Sequence, residues 1–174
     1  TLTLNSMPIS NDVNAVRDHA FRRCLSLTSS CDRDSVTSNG RYAFSSCYSL
    51  SSIRIRDSVT LIGDYAFYAC SSLSSITIPD SVTSIGVGVF YSCTSLTSIT
   101  IPDGVTSIGT SAFYSCTSLT SITIPDSLTS IGRNAFGNTQ VNISFSRHLL
   151  EATEAERDAR LTMNEVRDAR VSST

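Results

Sequence analysis

The chain has no lysine and no tryptophan, and only two histidines and four prolines in 174 residues. All thirteen basic residues are arginine, spread along the sequence, and the net charge is −2. Such a balance gives no electrostatic case for nucleic acid or for an anionic membrane. No apolar run approaches ~18 residues, so no segment is expected to insert in a bilayer. A start at Thr1-Leu2-Thr3-Leu4, without Met or a basic and apolar leader, fits a processed or shortened product and leaves secretion open. Catalytic chemistry is equally poorly supplied. His19 and His148 stand alone, and there is no glycine-rich phosphate loop, nucleophile elbow or cluster of metal ligands. The expectation is a chain that is not an enzyme and holds no cofactor and no metal.

What the chain has in abundance is repetition. Phe21, Phe44, Phe67, Phe90, Phe113 and Phe136 recur at one step, and Cys24, Cys47, Cys70, Cys93 and Cys116 share it. Six units fit one register: 4–26, 27–49, 50–72, 73–95, 96–118 and 119–141. A fixed period of this size marks a solenoid, in which each coil buries its apolar side against its neighbours.

In the fifth unit the apolar residues are Leu96, Ile99, Ile101, Val105, Ile108, Ala112, Phe113 and Cys116. Leu96-x-x-Ile99-x-Ile101 ends with a period of two, so Ile99 and Ile101 face inward and Ser98 and Thr100 outward. Pro102-Asp103-Gly104 ends the strand in a turn. Val105-x-x-Ile108-Gly109 returns on the opposite side, and the recurrent glycine suggests a positive φ. Ser111-Ala112-Phe113-x-x-Cys116 has the spacing of a short helical turn. Stacked at about 4.8 Å, the strands form one parallel sheet.

The motif Leu-x-x-Ile-x-Ile-Pro-x-x-Val-x-x-Ile-Gly-x-x-Ala-Phe-x-x-Cys resembles the BspA-like, or Treponema-type, leucine-rich repeat over residues 4 to about 141. It differs from the commoner leucine-rich repeat, in which Asn or Cys follows the strand; here Pro-Asp-Ser or Pro-Asp-Gly does. The resemblance implies an α/β repeat fold, a right-handed leucine-rich-repeat solenoid. It also implies a protein-binding or adhesion role at the cell surface or outside the cell.

The pattern frays at both ends. In the second unit Ser30, Asp32 and Asn39 take inward positions and Arg33 replaces Pro; in the first, Arg17 stands at the glycine position. Residues 1–49 are therefore expected to keep the solenoid with looser geometry, as terminal units often do. After Thr139, where Cys is expected, Val141, Ile143 and Phe145 alternate as one closing strand. The solenoid is thus assigned to residues 1–146. Residues 147–174 change to helix-forming composition, with a helix from roughly 148 to 170 that either caps the solenoid or docks a partner.

Candidate sites follow from the columns. The cysteines read as a ladder of buried free thiols, because parallel Cβ vectors do not converge into disulfides. Cys31 lies off that ladder, on an outward strand position. Asp34, Asp57, Asp80, Asp103 and Asp126 form a like-charged column, conceivable for cations but explained by their own turns. Tyr68, Tyr91 and Tyr114 line the turn edge as a packing rim or a contact surface. The outward strand ladders Ser75, Ser98, Ser121 and Thr77, Thr100, Thr123, with Arg54 and Arg56 at one end, are the candidate partner-binding face. A regular Ser-x-Thr array also orders water in ice-binding solenoids, but that needs a flat face. The alternative to an adhesion module is an accessory structural subunit of a larger intracellular or organellar assembly, anchored by the irregular ends and the C-terminal helix.

Overall fold

A computed structural model of the chain describes residues 6–8, 14–31 and 35–145. Twelve short strands occur among them: β1 (Ser6–Pro8), β2 (Ala15–Val16), β3 (Ser29–Cys31), β4 (Ser38–Asn39), β5 (Ser52–Arg54), β6 (Leu61–Ile62), β7 (Ser75–Thr77), β8 (Ser84–Ile85), β9 (Ser107–Ile108), β10 (Ser121–Ile124), β11 (Ser130–Ile131) and β12 (Asn142–Phe145). Every pairing is parallel, and all except β10 with β12, which pair at a step of 21, hold the repeat register: Ser29 faces Ser52, which faces Ser75. The β1-β3-β5-β7 ladder continues through single bridges at Ser98 to β10 and then β12. The coil-to-coil bond from the Thr120 amide to the Thr97 carbonyl is 3.5 Å there.

One sheet was expected, and two strand columns form. On the opposite side β2-β4-β6 and β8-β9-β11 make a second parallel ladder. The segment that reads as a mere return, such as Val105-Thr106-Ser107-Ile108, is rich in β-branched residues suited to pleated geometry. Its Thr106 amide bonds to the Thr83 carbonyl at 2.9 Å.

The expected short helical turns are absent: no described residue is helical. Around Ala112 and Phe113, alternate amides behave differently. Those of Ala112, Tyr114 and Cys116 bond back three residues, while those of Ser111, Phe113 and Ser115 donate to carbonyls of the following coil. Ser111 and Ser115 carry positive φ of 55° and 57°. Two such residues per coil convert the segment into linked tight turns, because αL residues interrupt a right-handed helix. The expected helix over 148–170 lies outside the described residues and gains no support from the structure.

The glycine column also needs correction. Among the described glycines, positive φ occurs at Gly88 and not at Gly109 or its equivalents. The glycine is required by close approach: a Cβ on Gly109 would sit 2.6 Å from the carbonyl carbon of Gly86 in the coil before. Backbones touch there, and only the smallest residue permits it.

The core fills the space between the two ladders. Ile53, Ile76, Ile99 and Ile122 point in from one side and Ile62, Ile85 and Ile108 from the other, all buried. The six Phe rings stack face to face, with centroids 5.1 to 5.6 Å apart. Burial of each ring contributes on the order of 1.5–3 kcal/mol. Asn39 is fully buried in the isoleucine column, between Val16 and Ile62, as the irregular second unit implied. Asp32 and Arg33 lie outside the described residues.

Two glycine substitutions should move stability in opposite directions. Gly109→Ala forces its Cβ into the preceding backbone and should lower stability by about 1–3 kcal/mol, as overpacking does. At the position of Gly104 four other coils carry serine, and the hydroxyls of Ser58, Ser81 and Ser127 donate to a carbonyl of the coil before, Ser127 to Val105 at 2.7 Å. Gly104→Ser should gain roughly 0.5–1 kcal/mol from that bond and a less flexible unfolded chain. Urea unfolding of both variants reads the difference.

Candidate functional site

The two faces of the repeat use their hydroxyls differently. Just before the strand, the side chains of Ser51, Ser74 and Thr97 donate to the carbonyls of Thr28, Ser51 and Ser74. On the return side, Thr37, Thr60, Thr106 and Thr129 do the same to the coil before, at 3.0 to 3.4 Å. These hydroxyls reinforce the stack and are not free to meet a ligand. The sequence alone did not separate them from the rest, because every polar column looks alike until the carbonyl directions are known.

The outward strand positions differ from these. Ser75, Thr77, Ser98, Thr100, Ser121 and Thr123 are all exposed. Thr123 shares a bond with Ser144 at 3.3 Å, whereas the hydroxyls of the other five make no intramolecular hydrogen bond. Each leans away from an inward neighbour, Ile76, Ile99 or Ile122, which the core holds fixed. A rigid backbone therefore presents two rows of small donors and acceptors, one coil step apart or about 4.8 Å. Arg54 is exposed at the start of this face and Arg56 is half-buried beside it. Both line an open cavity of about 280 Å³ together with Ile55, Asp57 and Ser58.

The aromatic edge is more extensive than Tyr68, Tyr91 and Tyr114. Those three rings stack at 5.2 and 4.9 Å and are half-buried, as a packing rim. A second column, His19, Tyr42 and Tyr65, stacks at 5.1 and 4.9 Å. The same 23-residue step relates its members, so the sequence held the signal. Tyr65 meets Tyr68 edge-on at 6.1 Å and joins the two columns. Gly88, at positive φ, continues the second column where any Cβ would enter the Tyr65 ring.

Asp57, Asp80 and Asp103 stand exposed along the turn column. Among the described residues no group of His, Cys, Asp or Glu is placed to hold a metal ion. Two other carboxylates have a structural task that spacing did not reveal: Asp18 and Asp64 accept the backbone amides of Arg41 and Val87 from the next coil, at 2.7 and 2.9 Å.

The thiol ladder is internal. Cys24, Cys47, Cys70, Cys93 and Cys116 are free, and the last four are buried. The thiols of Cys47, Cys70, Cys93 and Cys116 donate to the carbonyls of Phe21, Phe44, Phe67 and Phe90, at 3.0 to 3.2 Å. Thr139 replaces Cys in the last coil and bonds locally instead, to the Phe136 carbonyl at 2.7 Å. Burial raises all four thiols, Cys47 to about 11 and Cys116 to about 12. A thiol raised by folding stabilises the native state fully below its unfolded pKa, near 9, and loses that contribution as the pH climbs through the folded value. The chain should thus lose stability steadily between about pH 9 and 12, read as a falling urea midpoint. At pH 8 a thiol reagent should leave these four cysteines unmodified until denaturant is added.

No helix among the described residues is long and apolar enough to cross a membrane. Six copies of the BspA type leucine rich repeat region match the chain, over residues 1–94 and 37–150. No curated protein matches it. Among solved structures it is similar to the leucine-rich-repeat protein of Treponema pallidum, at 27% identity and TM-score 0.67, covering 93% of this chain and 80% of that one. A leucine-rich cell surface protein of Faecalibacterium prausnitzii matches at 25% identity and TM-score 0.58, covering 89% and 62%. A leucine-rich-repeat protein of Bacteroides ovatus matches at 31% and 0.62, covering 79% and 42%. The chain spans less than two thirds of the latter two proteins. No enzyme family is indicated, and repeats of this kind are generally protein-interaction modules. With its 23-residue step, stacked Phe column and six matched copies, the chain belongs to the BspA-type leucine-rich-repeat family.

Proposed function

We propose that the chain is a non-catalytic protein-binding module of the adhesion type, acting outside the cell or at its surface through the outward face of the strand ladder. The observation that carries this reading is the division of the hydroxyls. Most serines and threonines just before the strand and on the return side are tied to neighbouring carbonyls, Thr83 and Thr120 excepted, while Ser75, Thr77, Ser98, Thr100 and Ser121 are exposed and make no internal bond. Unsatisfied, rigidly spaced donors and acceptors are what a partner backbone or polar side chain can bond to without an ordering cost. Arg54 and Arg56 add charge at one end, suited to a carboxylate on the partner. Likeness to a cell surface protein of Faecalibacterium prausnitzii supports the location.

The reading is tested with the full chain against a panel of immobilised, purified surface and extracellular-matrix proteins. A partner found there should bind the Thr77→Arg, Thr100→Arg double variant at least tenfold more weakly, a loss of about 1.4 kcal/mol. Thr110→Arg, exposed away from the strand face, should bind as the parent does. Retained binding by the double variant, with loss on removal of residues 147–174, contradicts the strand-face site. That outcome favours a subunit anchored by its C-terminal segment.

A further inference from the structure

The arginines that look scattered along the sequence are partly gathered by the fold. Arg17, Arg22, Arg23 and Arg41 fall on the turn edge of the first two described coils, and all four are exposed. The backbone holds them in one neighbourhood. The His19 amide donates to the Arg41 carbonyl at 2.8 Å, and the Arg23 amide reaches the adjacent Ser45 carbonyl at 2.8 Å. Arg17 lies against Gly40, whose Cβ, were there one, would be 2.7 Å from the Arg17 carbonyl carbon.

The nearby described carboxylates do not neutralise this group. Asp18 and Asp64 spend an oxygen each on a backbone amide of the following coil. Among the described residues none of the four arginines makes an ion pair. The Arg22 guanidinium lies 5.8 Å from the centroid of the Tyr42 ring, which holds its plane without using its donors. Against the other side of the patch, His19 stacks on Tyr42 at 5.1 Å with its planes 5° apart. His19 begins that column, so a described ring covers one of its faces, and the residue is exposed.

The geometry points to a binding site for a sulfated polysaccharide on this edge, separate from the strand face. Guanidinium forks bond oxyanions in pairs, and a tetrahedral sulfate has three terminal oxygens to share among forks from two coils about 4.8 Å apart. A carboxylate, with two coplanar oxygens, matches one fork only. The second face of His19, which no described ring covers, offers a flat surface for the apolar face of a pyranose ring. Single-stranded nucleic acid is the poorer match. It needs a charged groove and successive stacking platforms over several nucleotides, and here the inner rings are covered by one another while the net charge is −2.

Heparin is the probe. Calorimetric titration of the full chain should show binding that weakens as salt rises. Arg22→Gln with Arg23→Gln should weaken it at least tenfold, Arg41→Gln and His19→Ala should each weaken it severalfold, and Arg133→Gln, exposed on the sixth coil, should leave it unchanged. Circular dichroism confirms that the variants stay folded. A charge-neutral Thr77→Gln, Thr100→Gln double variant should bind heparin as the parent does, which separates this site from the strand face. Equal affinity for desulfated heparin or polyglutamate overturns the assignment to sulfate. Tighter binding of single-stranded DNA, or no effect of the arginine substitutions, overturns the site.

Discussion

Everything in this molecule depends on one coil lying directly over the next at a constant step. A single coil leaves about half of its turn-segment amides without an acceptor of its own. The amides of Gly88, Phe90 and Ser92 are satisfied by Thr110, Ala112 and Tyr114 of the following coil, while those of Gly109 and Thr106 reach back to Ile85 and Thr83. Each coil is thus bonded in both directions, and buried backbone polar groups must be paired. The same step that aligns the bonds aligns the Phe rings, the isoleucines and the thiols. At the C-terminal end, the amides of Asn134, Phe136 and Asn138 find no acceptor among the described residues. End coils are chemically different from middle coils for that reason alone.

This dependence has a conformational cost, which the chain meets twice per coil. Positive φ recurs at His19, Tyr42, Tyr65, Gly88, Ser111 and Asn134, and again at Arg23, Ser46, Ala69, Ser92, Ser115 and Asn138. For residues other than Gly and Asn such a conformation costs on the order of 1 kcal/mol or more. It persists because each one turns the chain so that alternate amides face the next coil. The aromatic residues at the first of these positions recover part of the cost by stacking on one another.

Much of this was legible in the sequence. The period, the inward alternation of Ile99 and Ile101, the buried Phe and Cys columns and the closing strand, found at Asn142–Phe145, all follow from spacing, because a solenoid repeats its contacts as it repeats its letters. What spacing did not reveal were the directions of backbone groups. Ser111-Ala112-Phe113 has helical spacing, but its positive φ values are invisible in the residue types Ser and Tyr. Gly109 was correctly marked as special and wrongly explained, since a glycine needed for close approach and one needed for positive φ read alike. Charge was misleading for a related reason: Arg17 and Arg41 are distant in sequence and one coil apart in the fold. For the candidate face, the residues were legible and their free hydroxyls were not, because that depends on which carbonyls the other serines and threonines reach.

The direct test of coil-on-coil coupling is to remove the same ring from the middle and from the end of the stack. Phe90 is fully buried between two rings, whereas Phe21 is half-buried and stacks on one. Urea unfolding should show Phe90→Ala losing roughly 3–5 kcal/mol, with Phe21→Ala losing well under half of that. Equal losses at the two positions, or a small loss at Phe90, would contradict a structure held together by neighbouring coils.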